Sequence, residues 1–85
     1  MRNLKFTDEA WESYIYWQTQ DKRTLRRIND LIQAAQRDPL AGIGKPEPLK
    51  HSLSGCRSRR IDETNRLIYE VHDDELIIIS CRHHY

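Results

Sequence analysis

The chain has 85 residues, 32% of them charged and 38% hydrophobic, and its 14 Lys and Arg against 13 Asp and Glu leave a formal net charge of +1. That length suits one small domain whose core burial only just offsets chain entropy, and the composition is globular, neither disordered nor fibrous. The longest apolar run, Leu76-Ile77-Ile78-Ile79, is far too short to span a bilayer, and residues 1–6 lack the apolar stretch of a signal peptide, so a cytoplasmic protein away from membranes is expected.

Residues 1–6 alternate, Leu4 and Phe6 against Asn3 and Lys5, which predicts an edge strand. Thr7 then stands where a helix N-cap belongs, with Asp8 and Glu9 in the first turn, where the helix dipole favours acids. Ala10, Trp11, Tyr14, Ile15 and Trp17 recur at helical spacing. Asp21 offers a second N-cap. Leu25, Ile28, Leu31, Ile32 and Ala35 follow on one face of an amphipathic helix that Asp38-Pro39 stops. The short break between the two predicts an antiparallel helical hairpin. Aromatic residues at helical spacing read as core or partner-facing side chains before they read as a base-stacking platform. Lys22, Arg23, Arg26 and Arg27 read as a solvated face, with RNA phosphate contact as the alternative.

The segment after Pro39 is a loop containing Gly42, Gly44 and the run Lys45-Pro46-Glu47-Pro48-Leu49-Lys50. Each proline fixes its own φ and pushes the residue before it towards an extended conformation. Glu47 is therefore held in a stiff, extended piece with a lysine on either side. A carboxylate presented this way is either a positioned base or a solvated loop residue. The hydrophobic period then changes to two. Residues 49–53 read as a short extended piece, Ser54-Gly55 as a turn, and 56–61, 66–71 and 76–83 as strands joined by polar turns, which makes an antiparallel meander. The expected fold is α+β: one domain over residues 1–85, with an N-terminal strand, the helical hairpin and then the sheet.

Charge is unevenly spread. Lys45, Lys50, Arg57, Arg59 and Arg60 face a single acid, Glu47, in one stretch, whereas Glu70, Asp73, Asp74 and Glu75 cluster in another. A basic block of this kind is either a polyanion site or a solvated face. Strand parity puts Leu76, Ile78, Ser80, Arg82 and His84 on one side of the last strand, and Ile77, Ile79, Cys81, His83 and Tyr85 on the other. In the strand before it, Leu67, Tyr69 and Val71 oppose Arg66, Ile68 and Glu70. His83 and His84 then face apart, and Cys56 and Cys81, read as half-buried thiols, lack metal-ligand spacing, so no metal or other cofactor is expected.

A clamped carboxylate, a histidine beside the C-terminus and arginines on neighbouring strands remain. RNA can be cut without a metal by its own 2′-hydroxyl. That reaction needs a base for the hydroxyl proton, cations for the charged phosphorane and an acid for the leaving 5′-oxygen. Histidine suits the acid role and arginine the phosphate. Glu47, Arg66 and His84 form such a trio, although each alone is a weak signal: a loop glutamate is ordinarily solvated and a terminal histidine ordinarily has no role.

Several separated motifs also stand in a familiar order: Lys45-Pro46-Glu47-Pro48-Leu49-Lys50-His51, Leu53-Ser54-Gly55, Ser58-Arg59-Arg60-Ile61, Arg66-Leu67-Ile68-Tyr69 and Cys81-Arg82-His83-His84-Tyr85. With Trp11, Tyr14, Tyr16-Trp17 and Asp21-Lys22 in the helices, they resemble the YoeB family of the RelE/ParE toxin superfamily along the whole chain. The resemblance implies a RelE-like, microbial-ribonuclease-like fold. It also implies a type II toxin–antitoxin toxin: a ribosome-dependent endoribonuclease that cuts mRNA in the A site by metal-free 2′-hydroxyl attack, through a 2′,3′-cyclic phosphate. By position, Glu47 would be the general base and His84 the general acid. Arg66 would hold the scissile phosphate, Lys50, Arg60 and Arg59 would bind substrate, and Tyr85 would position it. Implied partners are a YefM-type antitoxin, the ribosome and mRNA, operator DNA together with the antitoxin, and a second copy of the chain. A non-catalytic toxin of the same superfold, acting by binding alone, is the alternative. Two positions depart from the family pattern: Cys56-Arg57 replaces an aromatic pair, and His83 stands where a tyrosine is usual.

Overall fold

The computed structural model describes residues 1–50 and 53–83. Thr7 starts α1 (Asp8–Gln20), its hydroxyl accepting the Ala10 N–H at 3.1 Å. Asp21 ends one helix and begins the next. Its own N–H reaches Trp17 O, while its carboxylate accepts from the N–H groups of Arg23 and Thr24 to cap α2 (Lys22–Arg37). The Thr24 hydroxyl, then the Thr24 and Arg23 N–H groups, hold this carboxyl below its ordinary value. α2 stops at Asp38, immediately before Pro39, where a helix cannot continue without losing a donor.

Five strands, β1 (Asn3–Phe6), β2 (Glu47–Pro48), β3 (Cys56–Arg60), β4 (Arg66–Val71) and β5 (Glu75–Ser80), form one sheet in the order β1-β5-β4-β3-β2. β2 to β5 make the expected antiparallel meander, and β1 lies at the edge, as its alternation suggests. β1 pairs parallel with β5, so the sheet is mixed. The helices bury Ala10, Trp17, Ile28, Leu31, Ile32 and Ala35 against Leu67, Tyr69, Leu76 and Ile78 of the sheet and Cys81 just after it. The α1 stripe is narrower than its spacing implies: Trp11 and Ile15 are exposed, with Trp11 stacked on Tyr14 and edge-on to Phe6.

Three expectations about the strands need correction. The ladder beside β3 is made by Glu47 and Pro48, ahead of 49–53, although Leu49 N–H still reaches Cys56 O at 3.0 Å. The last strand ends at Ser80, not at 83, because Cys81 O is taken by the Trp17 indole N–H at 2.8 Å. Its parity also changes partway. Tyr69 pairs with Ile78 but Ile68 pairs with Ser80, so Ile79 has no partner of its own. An extra residue of this kind reverses the alternation beyond it. Leu76 and Ile78 face the helices, Ser80 shares the opposite face with Ile68, and Cys81 returns to the core. Both cysteines are buried more deeply than expected. Burial pushes the Cys81 thiol up to about 12, and burial, with the nearby Glu70 charge, raises Cys56.

Candidate functional site

Register brings the clamped glutamate to the arginines. Glu47 pairs with Ser58, Ser58 with Ile68, and Arg60 with Arg66, so Glu47, Ser58, Arg60 and Arg66 share the sheet face turned away from the helices. Arg66 bends back along that face. Its Nη1 donates to Glu47 Oε1 at 3.0 Å and to the buried Ser58 hydroxyl at 3.4 Å. The Glu47 side chain is 55% exposed and that of Arg66 24%, so the carboxylate is open to solvent while the guanidinium is partly enclosed. Arg60 stands directly opposite Arg66 on the neighbouring strand, and like charges so placed repel. An anion bound between them would remove that repulsion. Lys50 is exposed just beyond β2.

The approach to Glu47 is sharply turned. Gly44 and Lys45 both have left-handed backbone, at φ 85° and 52°, and Gly44 O accepts the Arg60 N–H at 2.6 Å. Pro46 and Pro48 then hold Glu47 extended on the sheet edge.

The C-terminal end of the described chain is fastened beside Arg66. His83 O accepts the Arg66 N–H at 2.8 Å, and His83 N–H donates to Asn65 Oδ1 at 2.7 Å. His83 itself is left-handed, at φ 65°. Asn65 Nδ2 donates in turn to both carboxylate oxygens of Asp62 at 3.1 Å. Burial works to raise the Asp62 carboxyl, but hydrogen bonds from the Asn65 side chain, the Thr64 and Asn65 N–H groups and the Thr64 hydroxyl outweigh it and bring it below its ordinary value. Arg82 lies over the Tyr16 ring, 3.6 Å from its centroid. His84 and Tyr85, the expected acid and substrate-positioning residue, lie outside the described residues.

Arg59 does not belong with the substrate-binding residues. It pairs with Leu67, a core residue, on the helix side of β3, and its side chain is fully buried. Its guanidinium donates to the backbone oxygens of Asp38, Ala41 and Ile43 and to the Tyr69 hydroxyl, so it is already occupied. Alternation alone separates it from Arg60. The same alternation marks Ser58, two residues before Arg60, as part of the site, and the sequence reading missed it. Asn65 was also missed and carries no sequence signal beyond its place in a turn. Of the departures, Cys56 is buried opposite Glu70, and Arg57 has a buried Nε with no hydrogen-bond partner among the described residues.

Among the described residues, no three His, Cys, Asp or Glu side chains are grouped to hold a metal ion, and no helix is long and apolar enough to cross a membrane. Two surface concavities lie away from Glu47 and Arg66, one between α2 and the 38–43 loop, the other between β1, α1 and α2.

Residues 6–85 match the model of the YoeB-like toxin of bacterial type II toxin–antitoxin systems. Toxin YoeB of Escherichia coli K12 is 55% identical over 82 residues, which is 96% of this chain and 98% of that one. The solved YoeB/ParE toxin from Agrobacterium tumefaciens is 45% identical, with a TM-score of 0.93 and each chain covered completely. Staphylococcus aureus YoeB has been solved in complex with YefM (43% identity, TM-score 0.90, 100% and 99% covered) and as a dimer (45%, 0.91, 99% and 98%).

Proposed function

The chain belongs to the YoeB-like toxins of bacterial type II toxin–antitoxin systems, and from that premise we propose that it is an endoribonuclease that cuts mRNA in the ribosomal A site and so stops translation. The observation that carries the reading is the contact between Arg66 and Glu47 at 3.0 Å on an open sheet face. A phosphate that draws the Arg66 guanidinium into a bidentate grip would release Glu47 from its partner, with its carboxylate next to the attacking group.

Glu47 takes the proton of the 2′-hydroxyl, the hydroxyl oxygen attacks phosphorus, and the 5′-oxygen leaves with a proton from His84, giving a 2′,3′-cyclic phosphate. Arg66, with Arg60 on the same sheet face and with the exposed Lys50, stabilises the charge gathering on the phosphoryl oxygens. Tyr85 orients the substrate. No cofactor takes part. A YefM-type antitoxin neutralises the toxin, as the S. aureus complex supports. The two together bind operator DNA, and the toxin pairs with a second copy, as the S. aureus dimer supports. It acts in the cytoplasm, where ribosomes translate.

The test is a reconstituted translation reaction in which programmed ribosomes are mixed with the protein and mRNA ends are mapped. The expected result is discrete cuts within the A-site codon, leaving a cyclic phosphate on the upstream fragment. Arrested translation with intact mRNA would instead identify a toxin that acts by binding alone.

A further inference from the structure

A fully buried guanidinium without an acidic partner is an expensive feature, and Arg59 is one. Among the described residues no carboxylate pairs with it. A buried charge is tolerated only where its donors are satisfied. Arg59 meets that condition by gathering the backbone of one loop: Nη2 donates to Asp38 O at 2.6 Å and Ala41 O at 2.8 Å, and Nη1 to Ile43 O at 2.9 Å. Asp38 is the C-cap of α2, where the partial negative charge of the helix favours a cation. The Nε–H donates to Tyr69 Oη at 3.0 Å, and that hydroxyl donates to Pro39 O at 2.9 Å. Four backbone oxygens of a six-residue loop are thereby tied, directly or through Tyr69, to one side chain of β3.

That loop leads into the glutamate. Gly44 lies against Arg59 so closely that a Cβ added there would stand 3.0 Å from Arg59 Cβ and 2.6 Å from Leu31 Cδ2. Its carbonyl is held by the N–H of Arg60. Only Lys45 and the rigid Pro46 separate Gly44 from Glu47. On the other side of β3, Ser58 pairs with Glu47 and also touches Arg66. Arg59 therefore fixes the entry of the loop through its side chain, while the Arg60 N–H and the pairing of Ser58 with Glu47 fix its exit.

We propose that Arg59 is a positioning residue for the cleavage reaction: it holds the 38–43 loop so that Glu47 reaches the attacking hydroxyl, and it touches no substrate itself. The proposal rests on the reading of Glu47 as the base. It requires arginine, because the planar fork serves three carbonyls and a hydroxyl at once, whereas a lysine ammonium keeps the charge but cannot span them.

The experiment compares Arg59→Lys and Tyr69→Phe with the wild type, by amide hydrogen exchange and by single-turnover cleavage of mRNA on ribosomes, each also in a Glu47→Gln background. Arg59→Lys is expected to speed exchange at residues 40–47 while β4 and β5 stay protected. It should slow cleavage at saturation by roughly 10–100-fold, as an ångström-scale misplacement does, with the half-saturating concentration unchanged. In the Glu47→Gln background it should add little, since there is no base left to misplace. Tyr69→Phe, which keeps the ring and the guanidinium, should show the same pattern more weakly, and it decides the matter should Arg59→Lys fail to fold. Unchanged exchange in the loop, wild-type cleavage, or losses that add fully to that of Glu47→Gln would each overturn the positioning role. Wild-type cleavage by Glu47→Gln alone would instead remove the base, and the proposal with it, which is a different failure from those.

Discussion

Arg66 and Glu47, 19 residues apart in sequence, meet at 3.0 Å because β3 lies between their strands and Ser58 lies beneath them both. The Glu47 carboxylate is more than half exposed, and exposed ion pairs contribute little to stability. Glu47→Gln should therefore change the unfolding free energy by less than about 1 kcal/mol, as measured by urea denaturation. A loss of several times that size would mark Glu47 as a structural residue.

The turn before β4 carries a pH dependence of known sign. Asp62 lies below its ordinary value of 3.8 in the folded chain, so between the two values the unfolded state binds more protons. Its contribution is fully present above the ordinary value and is lost as pH falls through the folded one. Asp62→Ala should accordingly be less stable at neutral pH, by about 1 kcal/mol for its lost turn hydrogen bonds, and the gap should narrow as pH falls below the ordinary value of 3.8. A gap that widens with acid would contradict this. Because Asp62 holds Asn65 and Asn65 holds His83, the variant should also speed exchange of the His83 amide.

Cys81 makes a third expectation. Its thiol is buried and pushed up to about 12, so at about pH 8 it carries almost no thiolate, the form that alkylates. Iodoacetamide should leave it unmodified in the folded protein and label it in urea, as mass spectrometry would show. Rapid labelling of the native chain would place the thiol at the surface.

Removal of His84 and Tyr85 tests the division between chemistry and recognition. The truncated chain should lose mRNA cleavage yet keep its affinity for a YefM-type antitoxin, measured by calorimetry. The fastenings of Cys81, Arg82 and His83 are made upstream of the cut, to Trp17, Tyr16 and Asn65. Complete loss of antitoxin affinity would show that the removed residues form the recognition surface.

The signals that were legible in the sequence are short-range ones. Thr7 and Asp21 cap helices by bonding N–H groups two or three residues ahead, and Asp38-Pro39 stops a helix by local sterics. The turns and the meander are likewise neighbour-to-neighbour features. The parallel pairing of β1 with β5 joins segments some 70 residues apart, and nothing in either strand specifies it. The unpaired Ile79 was invisible for a similar reason: an extra residue is defined by the partner strand, and Leu76-Ile77-Ile78-Ile79 reads as uniform. Arg59 shows the limit in the other direction. Alternation along β3 separates it from Arg60, but the sequence reading grouped the two as substrate-binding, since arginine is so rarely buried. Only the loop carbonyls around it reveal why it is inside.

The most direct measurement is single-turnover cleavage of mRNA on intact ribosomes by Glu47→Ala and His84→Ala, with folding of each variant verified. If Glu47 takes the 2′-hydroxyl proton and His84 supplies the leaving group's proton, each variant should be slower by roughly 10²–10⁴-fold. The bell-shaped pH profile of the wild type should also lose its descending limb in His84→Ala. Cleavage at near wild-type rate by both variants would contradict the assignment of base and acid.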